Sequence, residues 1–313
     1  MEAQSRSANF VMPTLALDVE PLFVAGARLD ASSRQIQRMG VRQLAAGVLD
    51  PSPNKPNVTD AKAIREAVVE VAALLGNSGG KIGLLIPDVA ARVAVLQFDG
   101  LPDNQREAES LIHWRMREFL PFAPEEARFS YQVMVKEPGR VEILETAIRG
   151  SVLAEYEAAL EGISGGAALV LPASVALLPL LPDESSGQLL LHLCPGSLTV
   201  VVMGLGRVRY WRTRPLEGEV GPDSREEVAR EAARVLATCQ DHLNLQVQDI
   251  WFCSRPPAAP EMQEAVSKTL GRELRLLPGN RASATRLPPG EQSAFEDFGM
   301  PFAGLVANRG DAR

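Results

Sequence analysis

The chain has 313 residues, of which 46% are hydrophobic and 23% charged, with a net charge of -7 and an isoelectric point near 5.2. That length holds about two domains of ordinary size, and the composition is that of a globular protein. The acidic balance excludes the basic surface on which non-specific nucleic-acid binding rests, so no nucleic-acid partner is expected.

Cys194, Cys239 and Cys253 are an odd set without zinc-ligand spacing, and they read as small buried hydrophobes. His113, His192 and His242 are too scattered to nominate a metal site. The opening "MEAQSRSANFVMP" lacks the apolar core of a secretory signal. No window approaches the ~18 apolar residues of a membrane span, and the longest candidate, "GQLLLHLCPGSLTVVVMGLG", is broken by Pro195 and Gly196. The expected location is the cytoplasm, with membrane contact through a partner and no direct insertion.

Along the chain, "TLALDVEPLFVAGARL" predicts a hairpin over 14–29, and "RQIQRMGVRQL" a third strand. The prolines of "DPSPNKPNVTD" forbid a helix there. Thr59 or Asp60 then caps a helix whose Ile64, Val68, Val71, Leu74 and Leu75 keep helical spacing up to Gly76. "KIGLLIPD" reads as a buried strand with "ARVAVLQFDGL" as its partner. Asp103 is the expected cap of a second helix, striped by Ala108, Leu111, Ile112, Met116 and Phe119. "RFSYQVMVKEPGRVEILETAIRG" predicts a hairpin turned at "EPGR", "SVLAEYEAALEGISGG" a helix, and "AALVLPASVALLPLLPD" a strand leading into a short apolar helix.

After "PDESSG" the pattern begins again. A three-strand meander over "QLLLHLCPGSLTVVVMGLGRVRYWRTRPL" precedes a helix with Ser224 as expected cap and Glu227 completing a capping box. "QDIWFCS" reads as a strand, "APEMQEAVSKTLG" as a helix and "RELRLLP" as a strand, before a small-residue helix at the end. Two halves that each open on strand–turn–strand imply a duplicated α/β fold with a cleft between its lobes.

The segment from Lys81 to Met134, ending in "EFLPFAPEEARFSYQVM", together with "PFAGLVANRG" near the C-terminus, resembles the PilM family of type IV pilus assembly proteins within the actin-like ATPase superfamily. The resemblance implies an actin-like (ribonuclease H-like) duplicated two-lobe fold. It implies an FtsA-type inserted subdomain in the first lobe and a reduced second-lobe insertion, where only Pro215 to Ser224 separates meander from helix. The boundaries it suggests are a first lobe over 1–182, containing an insert over about 81–163, and a second lobe over 183–313.

In that superfamily a phosphate loop carries Asp-x-Gly followed by Ser or Thr. Here the first loop reads Asp18, Val19, Glu20, Pro21, so a carboxylate stands at the glycine position and a residue without an N–H at the hydroxyl position. The second loop position reads His192, Leu193, Cys194, and the two adenosine-binding diglycines read "PLEGEVG" and "RPP", the latter led by Arg255. Asp18, Glu20, Pro21, His192 and Cys194 are therefore expected to be non-functional remnants, with Asp18 and Glu20 as surface or hinge residues. No catalytic residue, metal or ATP–magnesium cofactor is expected.

The resemblance implies a non-catalytic scaffold that binds the cytoplasmic tail of a PilN-like single-span inner-membrane protein, alongside other pilus or secretion components. Trp114, Phe119, Phe122 and Tyr131, with Phe129, concentrate the aromatic content in one stretch. They are either the binding surface or the insert's own core. The expected groove lies between the helix Asp103 to Leu120 and the strand Lys81 to Ile86. The alternatives are an ATP-binding or ATP-hydrolysing switch of the same fold and a GspL-like cytoplasmic domain of type II secretion. A sugar or acetate kinase relative ranks last because no catalytic base motif is evident.

Overall fold

The computed structural model describes residues 12–76, 80–163, 166–182, 186–216, 222–258, 260–277 and 285–307. The expected diglycine remnant at 217–221 lies outside them. Two five-stranded sheets have matching topology. The first joins β1 (Leu15–Glu20), β2 (Phe23–Asp30), β3 (Gln35–Gln43), β4 (Ile82–Ile86) and β8 (Ala167–Pro172) in the order β3-β2-β1-β4-β8. The second joins β9 (Gly187–Cys194), β10 (Ser197–Gly204), β11 (Arg207–Pro215), β12 (Val247–Ser254) and β13 (Leu274–Leu276) in the order β11-β10-β9-β12-β13. In each, an antiparallel meander is followed by a helix and then by two parallel strands.

The helices correspond in the same way. α1 (Ala61–Leu74) and α5 (Pro222–His242) follow the meanders, and α3 (Gly150–Ala158) and α6 (Pro260–Leu270) precede the last parallel strand. Asp60 caps α1 by accepting from Ala63 N, and Gly76 leaves it at a positive φ of 71°. The helix α3 stops at Ala158, shorter than the segment predicted for it. α5 begins at Pro222, so Ser224 lies inside its first turn rather than capping it, and Glu227 pairs instead with Arg214.

Between β4 and α3 the first lobe carries a third sheet of β5 (Ala91–Phe98), β6 (Ala127–Glu137) and β7 (Arg140–Arg149), in the order β5-β7-β6. α2 (Gln105–Met116) covers one face of it. Its cap is Asn104, which accepts from Arg106 N and Glu107 N, one residue beyond the expected Asp103. The β6–β7 hairpin forms as expected. By contrast, β5 pairs with β7 and not with Ile82–Ile86, which lies fully buried between β1 and β8. That strand is thus neither part of the three-stranded sheet nor free to wall a groove. Val152, Tyr156 and Ile163, expected inside the insert, pack into the core beneath the first five-stranded sheet.

Each lobe has its own core on the helix side of its sheet. A further core fills the space between the lobes, taking Ala16, Phe23, Leu190, Trp251 and Cys253 from the sheets. The end of the chain returns to it. α7 (Gln292–Phe298) packs Phe298 against Phe23 in a tilted arrangement, with ring centroids 4.6 Å apart. α8 (Met300–Ala307) packs against α4 (Ala173–Leu177) and is buried up to Val306. The insert is tied across to the second lobe, since Glu142 of β7 is buried and accepts from Arg207 Nε of β11 at 2.6 Å.

Gly304 marks the closest helix approach. A Cβ there would lie 1.7 Å from the Ala176 carbonyl oxygen, an overlap that only backbone movement relieves. Overpacking of this kind costs ~1–3 kcal/mol, so Gly304→Ala is expected to lower the midpoint of thermal unfolding clearly, whereas Gly100→Ala, with nothing within 4 Å of its Cβ, leaves it nearly unchanged. Equal melting of the two variants in scanning calorimetry would rule out this packing of α8.

Candidate functional site

Alternation along three strands builds the cleft. In β1, Leu17 and Val19 face the first lobe's own core, so Ala16, Asp18 and Glu20 face the other lobe. In β9, Leu189, Leu191 and Leu193 face the second lobe's core, which turns Leu190, His192 and Cys194 inward. In β12, Trp251 and Cys253 set the same parity for Arg255 just beyond its end. Period two thus brings four of the five residues expected as phosphate-loop remnants to one point, together with the arginine read from the "RPP" position. Pro21, half-buried in the β1–β2 turn, completes the first loop.

Arg255 is 1% exposed and joins the lobes. Its Nη1 donates to Asp18 Oδ2, and its Nη2 donates to Glu20 Oε1 and to Cys194 Sγ, each at 3.3 Å. Its Nε donates to His192 Nε2 at 3.0 Å, and its guanidinium lies 5.8 Å from the centre of the Phe23 ring. Asp18 and Glu20 are therefore fully buried, not surface or hinge residues as expected from the sequence. The reason is the cation, which offsets the cost of taking two carboxyls out of water. Burial still pushes both carboxyls up, Glu20 farther because the Asp18 charge stands beside it, while the two acids hold Arg255 firmly protonated against its own desolvation. Asp18 Oδ1 and Glu20 Oε2 have no hydrogen-bond partner.

A second polar node continues from the first. An arginine can only donate, so His192 Nε2 accepts and the ring proton sits on Nδ1. Nδ1 lies 3.1 Å from Asp88 Oδ2 and 2.6 Å from Ser174 Oγ. Asp88 follows β4 in a short 3-10 turn (Asp88–Ala90) and also accepts from Ser174 N at 2.9 Å, Ser174 Oγ and Thr199 Oγ1 at 2.8 Å. Burial raises the Asp88 carboxyl, but the bonds from His192 and Ser174 outweigh it and hold it below its ordinary value. Burial also keeps His192 neutral. The network crosses between the lobes at Arg255, at Asp88 and at Ser174.

These residues do not fit a nucleotide. A phosphate in the first loop would meet the Glu20 carboxyl and the missing N–H of Pro21, in a space that the Arg255 side chain fills. Four of the guanidinium's five N–H donors are already used within the protein. Among the described residues, no group of three or more His, Cys, Asp or Glu side chains is placed to hold a metal ion. The signal for Asp88, Ser174 and Thr199 was faint: each is a polar residue at or near the end of an apolar run.

The aromatic residues of the insert divide. Trp114 is 52% and Phe119 47% exposed, with the Arg117 guanidinium 5.2 Å above the Trp114 ring. Phe122 is half-buried, and Phe129 and Tyr131 pack against the insert's core of Ala94, Leu96, Ile112, Met116, Val141 and Ile143. No helix among the described residues is long and apolar enough to cross a membrane.

No family model and no curated protein matches the chain. Among solved structures, a chain of the PilM–PilN type IV pilus biogenesis complex matches 95% of this chain and 98% of its own, with a TM-score of 0.79 and 16% identity. A Bacteroides thetaiotaomicron protein with an actin-like ATPase fold and unknown function matches 95% and 96%, with a TM-score of 0.53 and 8% identity. The cytoplasmic domain of EpsL, an inner-membrane component of the Vibrio cholerae type II secretion system, matches 94% and 95%, with a TM-score of 0.51 and 11% identity. The chain has the actin-like ATPase fold.

Arg255→Met leaves two carboxyls buried without a cation, and breaking a buried pair from one side costs ~3–5 kcal/mol. The expected loss of stability grows as pH rises above the ordinary carboxylate range, because carboxyls with raised folded values take up protons on folding. Adding Asp18→Asn and Glu20→Gln to the same protein should recover part of the loss and flatten its pH dependence. Urea unfolding at pH 5 and pH 8 measures both effects; an Arg255→Met protein as stable as wild type at pH 8 would show that the cation does not hold the cleft.

Proposed function

We propose that the protein is a non-catalytic scaffold of a type IV pilus or related secretion machine, held at the inner membrane through the cytoplasmic tail of a PilN-like single-span protein. The observation that carries the non-catalytic part is the Arg255 side chain filling the nucleotide cleft and using its donors on Asp18, Glu20, His192 and Cys194. The likeness of fold to the PilM–PilN complex, along nearly the whole chain, supports the pilus assignment. The weaker likeness to the EpsL cytoplasmic domain supports the secretion alternative. An ATP-binding switch of the same fold would require Arg255 to leave the cleft and two buried carboxyls to face phosphate.

Docking is assigned to the outer side of the insert, where Trp114 and Phe119 stand exposed. Large aromatic side chains there supply contact area at small entropic cost, the usual character of binding hot spots. The tail binds as a short peptide whose apolar side chains cover these rings.

Two measurements test this reading. With millimolar ATP and magnesium, calorimetry is expected to show no heat of binding, and the melting temperature no shift; saturation at ~100 times the dissociation constant would stabilise the protein by about 2.7 kcal/mol, and such a saturable shift would restore the switch reading. In a pull-down with a PilN-like tail peptide, Trp114→Ala combined with Phe119→Ala is expected to weaken retention by ~2 kcal/mol or more. Equal retention by variant and wild type would move the docking surface elsewhere.

A further inference from the structure

Glu145 stands in the middle of β7 on the face turned toward α2, between Ile143 and Ala147, which belong to the insert's core. It is 0% exposed, and neither of its carboxylate oxygens has a hydrogen-bond partner. A buried acid is ordinarily paired, and an unpaired one calls for an account. Its neighbour in the sheet, Glu142 on the opposite face, shows the ordinary arrangement: Arg140 and Arg207 both donate to it.

The groups around Glu145 supply no hydrogen bond to it. In register beside it on β6 stands Tyr131, and opposite it on β5 stands the uncharged Ala94. From α2, His113 lies over it with Nε2 3.9 Å from Glu145 Oε1, too far for a hydrogen bond. The His113 ring is stacked on Phe129 at 4.1 Å and remains partly exposed. Glu109, one turn earlier on α2, adds a second negative charge that both His113 and Tyr131 feel. Two carboxyls beside two aromatic rings match the chemistry that holds an ammonium or guanidinium group, by charge and by cation–π attraction. β6 is moreover the edge strand of its sheet, so an extended chain can run beside it.

We propose that Glu145, reached when the His113 ring swings aside, receives a lysine or arginine side chain of the docked tail. This deepens the docking reading given above and rests on it. The tail then carries a basic residue close to the apolar ones that meet Trp114 and Phe119. Burial holds the free Glu145 carboxyl up to about 7, so seating a cation releases a proton, and affinity rises between pH 6 and pH 8. His113, whose own value burial lowers, is neutral over most of that range.

The test uses the full chain and amino-terminally acetylated 15-residue peptides tiling the cytoplasmic tails of single-span inner-membrane proteins. The bound peptides are expected to contain a lysine or arginine whose replacement by glutamine weakens binding at least tenfold. E145Q is expected to weaken the basic peptide equally, to be indifferent to the replacement, and to lose the pH dependence. The variant's folding is checked independently: a carboxyl with a raised folded value destabilises as pH rises from its ordinary 4.5 toward 7, so E145Q should melt higher than wild type at pH 8 and about level with it at pH 4. Tails that bind wild type and E145Q alike, or whose basic residue is dispensable, overturn the proposal and leave the docking reading standing. Failure of every tail to bind wild type overturns both.

Discussion

One buried cation decides the state of this molecule's centre. Arg255 meets Asp18 and Glu20 across the cleft between the lobes, and the surrounding polar network is built on that contact. With the guanidinium in place, two carboxyls can be buried, His192 can stay neutral as an acceptor, and Asp88 can collect its bonds from both lobes. A buried ion pair of this kind contributes little net stability against an apolar filling of the same shape. Its effect is geometric, because a planar donor set fixes where the two β-hairpins stand relative to each other.

Much of the architecture was legible. The period-two runs of the two meanders, the capped helix α1 and the β6–β7 hairpin form as their residue patterns require. The repeat of strand–turn–strand told of the duplication, and the matching strand orders make it explicit. What pattern alone did not settle was pairing. "ARVAVLQFDGL" alternates well enough to pair with any neighbour, and it joins β7 rather than the strand just before it, because the turn Asp88–Ala90 carries the chain out of the five-stranded sheet. Helix starts were misread by a residue or more where several capping types stand together, as at Asp103 and Asn104.

The sequence singles out Asp18, Glu20, His192 and Cys194, but not the buried environment they share. Asp18 and Glu20 look exposable as a pair of acids near a turn. Only the partner 237 residues away in the chain, Arg255, makes them interior groups. Glu145 did leave a signal: in "VEILETAI" it occupies the same parity as Val141, Ile143 and Ala147, so alternation alone marks it as inward-facing. Glu142 lies on the other parity and looks similar in sequence. One of its arginines, Arg140, stands two residues before it at the start of β7, but the other, Arg207, comes from the other lobe, which no local pattern reveals.

The Arg207–Glu142 contact has a mechanical meaning. The insert leaves the first lobe at Asp88–Ala90 and returns at Gly150, two adjacent points that would by themselves act as a hinge. Arg207 adds a third anchorage on the other lobe, and β5 lies against β11 beside it. Together the three anchorages tie the insert to both lobes. A pull on the insert is thereby shared between both halves of the molecule, and any tilt of the insert must first strip a buried carboxylate of one of its arginines.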